Sequence, residues 1–327
     1  MRVWLSTFPR VGVTQDVGRA AEAAGFYGLM LTDSQMLLPD PFVELAAVAD
    51  ATTSLRLGTC ASNVVTRHPT VVAAMACTLQ ARSDGRMTVG VGRGDSAVTK
   101  IGLHPESPEA FGTSLAELRQ LVRGGSVEID GSLTSLAWID PKASPPAVFG
   151  VASGPHVIAE VAHNADGLIL QVGSSPEAIG SCIQEARTEQ GDNDLSIAVY
   201  VIVGLERGGA APPIDGVTPL LARMAEHALA DDDSPQGRAA AEAARTYTLA
   251  THGLASAGDG HPEIEDYALR GTAAECVTAL SAIAATGCDE LVVILGSVTT
   301  STAELLGLIG AFGNDVMPAL REIEPSR

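Results

Sequence analysis

Two aspartates stand directly after short apolar runs, where a carboxyl group can do proton chemistry: Asp33 closes GLMLTD (28–33) and Asp95 sits in the glycine loop VGVGRGDS (89–96). Burial at the end of such a run raises a carboxyl pKa toward the range useful for giving or taking a proton. Asp33 reads equally well as a cap or as the ion-pair partner of Arg67 or Arg93. Three more loops are built of small residues: CASN (60–63), ASGP (152–155) and QVGSSPE (171–177). In the last two, Ser153-Gly154 and Gly173-Ser174 would offer backbone N–H groups at helix starts, where unpaired amides and the helix dipole favour an anion such as phosphate. Capping by Ser153 or Ser175 explains each loop singly but not their pairing. The glycines at 90, 92 and 94 lack the third glycine of a dinucleotide fingerprint and the lysine of a P-loop.

Other chemistries find little support. The seven histidines show no metal-ligand spacing, and His68 in TRHP (66–69) reads more readily as structural than as catalytic, so no metal site is expected. A G-x-S-x-G elbow is missing, which disfavours serine hydrolases. Asp231–Asp233 reads as a solvated turn. Five cysteines form no C-x-x-C pair, as expected for buried thiols in a reducing cytoplasm. A formal charge of −19 would repel a phosphate backbone or an anionic bilayer, which excludes nucleic-acid and membrane-surface partners. The N-terminus lacks a leader pattern and no 18-residue apolar run occurs, so a soluble protein is expected.

The elements that must hold these loops follow from the hydrophobic period. Eight short, mostly continuous apolar runs (3–8, 28–32, 55–61, 86–92, 147–151, 167–171, 196–203 and 290–295) read as strands buried on both faces. Helical patterns fall between them at 14–24, 41–52, 69–81, 108–123, 155–163, 176–190, 217–250, 272–286 and 301–322, five opening on proline. Eight strands with intervening helices predict a single α/β domain over 1–327, a (β/α)8 TIM barrel with insertions; a doubly wound open sheet is the alternative. The insertions are 124–146, read as a hairpin turning at Asp130-Gly131, and 204–270, read as largely helical. In a barrel every loop named above lies at the C-terminal rim.

Three co-linear blocks resemble the luciferase-like superfamily: LGTCASNVVTRHPTVVAAMACTLQARSDGRMTVGVGRGDSAVTKIG (57–102), VFGVASGPHVIAEVAHNADGLILQVGSSPE (148–177) and GTAAECVTALSAIAATGCDELVVIL (271–295). The similarity is greatest to the coenzyme F420-dependent branch that includes methylenetetrahydromethanopterin reductase. It implies that Asp33 lies near the deazaflavin ring and that Cys60–Ala61 is joined by a cis peptide, with Ser62 and Asn63 beside it. Gly92, Gly94 and Asp95 would run along the ring edge, and Ser153, Gly154, Gln171, Val172, Gly173 and Ser174 would hold the phosphate. The chain has Ser34, Asp95 and Ser174 where sugar-phosphate-oxidising relatives carry His, Glu and Lys, which points away from that activity. The resemblance implies hydride transfer between deazaflavin C5 and a C=N or C=C bond of a small organic substrate, with Asp33 or Asp95 handling the proton. An FMN-dependent monooxygenase and a catalytically silent cofactor-binding protein are the alternatives. A homodimer through helices 41–52 and 69–81 is expected, as is loss of cofactor affinity with the fold intact on Gly173→Val.

Overall fold

A computed structural model describes residues 1–140, 142–209 and 268–324. Its strands are β1 (Arg2–Thr7), β2 (Gly28–Leu31), β3 (Arg56–Thr59), β4 (Ser62–Asn63), β5 (Met87–Gly92), β6 (Val127–Ile129), β7 (Ser132–Thr134), β8 (Ala147–Ala152), β9 (Gly167–Leu170), β10 (Ser196–Leu205), β11 (Ala268–Gly271) and β12 (Glu290–Leu295). The helices are α1 (Thr14–Ala24), α2 (Pro41–Ala51), α3 (Pro69–Arg82), a short α4 (Ser96–Thr99), α5 (Pro108–Val122), α6 (Pro155–Asn164) and α7 (Pro176–Glu189), followed by Ala273–Ala284, Thr302–Asp315 and Met317–Arg321.

Eight strands pair in parallel around a closed ring, β1–β2–β3–β5–β8–β9–β10–β12 and back to β1. This is a TIM barrel, and all eight expected strands are in it. The open-sheet alternative fails because β10 pairs with both β9 and β12, leaving no edge in the ring. Proline stands in the first turn of α2, α3, α5, α6 and α7, where its missing N–H costs nothing.

Alternation along each strand divides the core into two layers. Val3, Leu5, Leu29, Leu31, Val199, Val201, Leu291 and Val293 face outward into a cluster shared with the helices. Trp4, Met30, Phe149, Ile169, Tyr200, Ile202, Val292 and Ile294 fill the inside of the barrel. That interior cannot hold a large side chain on every strand. Gly28 pairs with Trp4 and Gly167 with Phe149, and a Cβ at either glycine would lie 2.3 or 2.4 Å from the facing ring. At the N-terminal end the Trp4 indole donates to the buried Glu290 carboxylate, which also pairs with Arg2 at 3.1 Å.

The 124–146 excursion is the expected hairpin, β6 antiparallel to β7, with Asp130 and Gly131 both at positive φ as a two-residue turn requires. Three short elements were not foreseen, the first being the two-residue strand β4 within the CASN loop. The strand β11 adds in parallel to the end of β10, and its four residues of mixed burial carry no readable alternation. The single turn α4 is too short for a helical period to show. The expected helix over 301–322 is interrupted at Val316, with Pro318 in the first turn of its second part. The helical reading of 217–250 and the Asp231–Asp233 turn fall outside the described residues. Among the described residues, no helix is long and apolar enough to cross a membrane.

Gly167→Ala should destabilise the barrel by about 1–3 kcal/mol through overpacking against Phe149. In a Phe149→Ala background the same substitution should cost little, because the ring it would strike is gone. Urea unfolding of the four proteins of this cycle measures the difference.

Candidate functional site

The C-terminal rim is organised by Asp33, whose side chain is only 1% exposed. Arg67 donates to it twice, Nε to Oδ2 at 2.8 Å and Nη2 to Oδ1 at 3.1 Å, and Ser62 Oγ donates to Oδ2 at 2.6 Å. Nη2 of Arg67 also reaches Asp40 Oδ2 at 2.8 Å, and the guanidinium lies over the Phe42 ring, 5.4 Å from its centroid. Of the alternatives open for Asp33, the ion pair with Arg67 is the one that forms. Both Asp33 oxygens accept hydrogen bonds from protein groups.

The next strand ends in a cis peptide between Cys60 and Ala61, as the resemblance implies. Beyond it Ser62 and Asn63 pair with Val91 and Gly92 of β5, and Gly92 lies against Ala61. Asn63 is committed to a turn: its Oδ1 accepts from Val65 N at 3.1 Å, Thr66 N at 2.8 Å and Thr66 Oγ1 at 3.0 Å, which orients Arg67. Burial pushes the Cys60 thiol up to about 12, so it stays protonated at neutral pH and is no nucleophile. Beneath it in the barrel lies Tyr200, whose hydroxyl is pushed up by burial and, further, by Cys60. Nothing in the apolar run 196–203 singled that tyrosine out.

The loops after β2 and β5 are stitched together. Ser34 Oγ and Ser96 Oγ are buried and 2.9 Å apart, and Gln35 Nε2 donates to Ala97 O at 2.7 Å. Asp95 is the N-cap residue of α4, with its carbonyl accepting from Val98 N at 2.9 Å and Thr99 N at 2.8 Å. Gly94 before it has φ +106, and a Cβ there would lie 2.5 Å from Val98.

The two small-residue loops differ from each other. Both sit on adjacent strands, joined by Gln171 N donating to Ala152 O at 2.9 Å. Ser175 caps α7 by accepting from Ala178 N, whereas α6 has Gly154 as its N-cap and no side-chain cap at all. A Cβ at Gly154, whose φ is −119, would meet nothing within 4 Å, so this helix start faces open space. Gly173 has φ +93, which makes Gly173→Val a backbone strain as well as a block, so the fold cannot be expected to stay untouched. Val172 points its side chain into the outer core, so only its backbone faces the rim. Ser174 is buried, and Ser153 and Gln171 are half-buried on the same arc.

Fold and rim match known proteins. A family profile described as luciferase-like monooxygenase matches residues 3–290. The chain belongs to that family. A solved structure of coenzyme F420-dependent tetrahydromethanopterin reductase from Methanopyrus kandleri superposes with a TM-score of 0.76 at 20% identity, covering 97% of this chain and 98% of the other. F420-dependent hydroxymycolic acid dehydrogenase of Mycobacterium tuberculosis is 26% identical over 238 residues, covering 68% of this chain and 60% of that protein. F420-dependent glucose-6-phosphate dehydrogenase of Nakamurella multipartita is 32% identical over 177 residues, 49% of this chain and 52% of that protein. The chain thus spans only about half to three fifths of the length of the curated relatives it matches.

Within this luciferase-like barrel, Arg67→Met should leave Asp33 as a buried charge without its cation and cost about 3–5 kcal/mol in urea unfolding. Adding Asp33→Asn removes that charge and should recover part of the loss.

Proposed function

We propose that this chain is an F420-dependent oxidoreductase that transfers a hydride between deazaflavin C5 and a C=N or C=C bond of a small organic substrate. The observation that carries the reading is that the relatives matched above are named as F420-dependent enzymes of oxidation and reduction. The rim fits such a cofactor. The uncapped start of α6 opens on space at Gly154, beside the Gln171–Ser174 loop, and backbone amides there suit a phosphate without needing a basic patch. Cys60, Ala61, Ser62, Asn63, Gly92 and Gly94 would bound the ring on the β3 and β5 side. When bound, the deazaflavin supplies the hydride donor or acceptor; the protein's part is to orient it and to handle the accompanying proton. Asp33, held by Arg67 and Ser62, and Asp95 are the two rim carboxyls that this reading assigns to the ring and the accompanying proton.

A second reading, an FMN-dependent monooxygenase, is favoured by the description of the family itself. Fluorescence titration of the purified protein with F420 and with FMN separates the two. Binding of F420 and not FMN is expected; tight FMN binding without F420 would overturn the first reading, and binding of neither would leave a silent protein. Gly154→Val should weaken F420 binding at least tenfold, about 1.4 kcal/mol, with an unchanged circular dichroism spectrum. Ser174→Ala should cost less, because the backbone amides remain.

The reading includes a cytoplasmic homodimer. It is supported by five free thiols, four of them buried, and by Val43 on α2 and Val71 on α3, which are 68% and 48% exposed on neighbouring helices. Light scattering at micromolar concentration should give a dimer mass for the parent and a monomer mass for Val43→Glu; a monomeric parent would end this part of the proposal.

A further inference from the structure

The end of the barrel opposite the rim holds a cation that its own carboxylates leave unanswered. Strand β2 runs between β1 and β3, with Trp4, Gly28 and Arg56 in register across the three. Tyr27 stands at the head of β2, and its ring is met from both neighbouring strands. Cζ of Arg2 lies 5.6 Å from the ring centroid and Cζ of Arg56 lies 5.7 Å from it. Trp4 packs edge-on against the same ring, with centroids 5.2 Å apart. The aromatic face attracts each guanidinium and holds it in place. The same arrangement gathers two like charges around one ring, where they repel.

Arg2 is partly answered and Arg56 is not. Arg2 Nη2 pairs with Glu290 Oε1 at 3.1 Å, while Arg2 Nε is buried without a partner among the described residues. Both oxygens of Glu290 are engaged, since Oε2 accepts from the Trp4 indole and Oε1 also accepts from Ser196 Oγ at 3.3 Å. Other carboxylates at this end are engaged too. Glu22 accepts from Thr53 N, Ser54 N, Ser54 Oγ and Leu55 N, immediately before Arg56. Asp50 pairs with Arg82, Asp166 with Arg119 and Arg123, and Asp289 with Arg187. Among the described residues the Arg56 guanidinium meets no carboxylate and donates no hydrogen bond. The Tyr27 hydroxyl makes no hydrogen bond among them either. In a chain with 39 acidic and 20 basic residues, an arginine fixed there without an acid is where an outside anion gains most.

We propose that Arg56, Arg2 and the Tyr27 hydroxyl bind a small oxyanion of the phosphate type at the N-terminal end of the barrel. Guanidinium forks match phosphate oxygens, and an anion shared by two arginines replaces their repulsion with attraction to it. The site is local. An overall charge of −19 repels polyanions, so a single phosphate group fits it and a nucleic-acid backbone does not. It lies at the opposite end of the barrel from the rim and does not depend on the oxidoreductase reading.

The test uses the full chain carrying Trp138→Phe, which leaves Trp4 as its one tryptophan. Trp4 touches Tyr27 and bonds Glu290, so its emission reports on the site. Inorganic phosphate and glycerol 3-phosphate are titrated at constant ionic strength, with sodium chloride as the control. Phosphate should give a saturable change and chloride none. Saturation by the ester alone also supports the site and makes its ligand a monoester. Arg56→Gln should weaken the apparent affinity at least tenfold, and Arg56→Lys and Tyr27→Phe by smaller factors. Gly154→Val, on the rim, should leave the titration unchanged. In thermal melts phosphate should raise the midpoint of the parent and not that of Arg56→Gln, which separates binding from a merely structural arginine. A parent that answers neither oxyanion overturns the proposal, as does a chloride response of the same size. So does a parental titration or an equal midpoint rise in Arg56→Gln, or loss of the signal in Gly154→Val, which would move the anion to the rim. If Arg56→Gln loses the parental circular dichroism spectrum, parental affinity in both Arg56→Lys and Tyr27→Phe overturns it instead.

Discussion

The rim depends on one interaction, the buried pairing of Asp33 with Arg67. A carboxylate with 1% of its side chain exposed must find a cation and further donors, since an unpaired buried charge costs several kcal/mol. Meeting that demand fixes three loops together. Ser62 Oγ brings in the end of β3, the Asn63 turn aims Arg67, and Asp40 shares the guanidinium while its other oxygen caps α2 through Phe42 N and Val43 N. One residue thus ties the end of β2, the strand after the cis peptide and the start of a helix into a single rigid corner.

The barrel beneath sets what that corner can face. Trp4 and Phe149 fill the lower interior only because Gly28 and Gly167 yield the space. Above it the mouth divides. The β8 and β9 side has small residues and an uncapped helix start, suited to an anion held by amides. The opposite arc has exposed aliphatic side chains on loops cross-linked by serine, glutamine and arginine contacts.

The barrel was legible in the sequence because strands buried on both faces read as unbroken apolar runs, and prolines marked five helix starts. The Asp130-Gly131 turn was legible because few residue pairs tolerate two positive φ values in succession. Elements of four residues left no period to read, as α4 and β11 show. At the site the residue types were legible and their commitments were not. Nothing in GLMLTD says that Asp33 will be met by Arg67, 34 positions away, and nothing in QVGSS says that Val172 turns into the outer core or that Gly173 sits at φ +93. Those outcomes depend on which loops the closed ring brings side by side.

The most direct test of the account is a crystal structure of the protein with F420 bound. The account predicts the deazaflavin over the ends of β3 and β5, with its phosphate on backbone amides at the start of α6 next to Gly154. A phosphate held instead by side chains of the β5 loop, such as Arg93 or Lys100, with the α6 start left open, would contradict it.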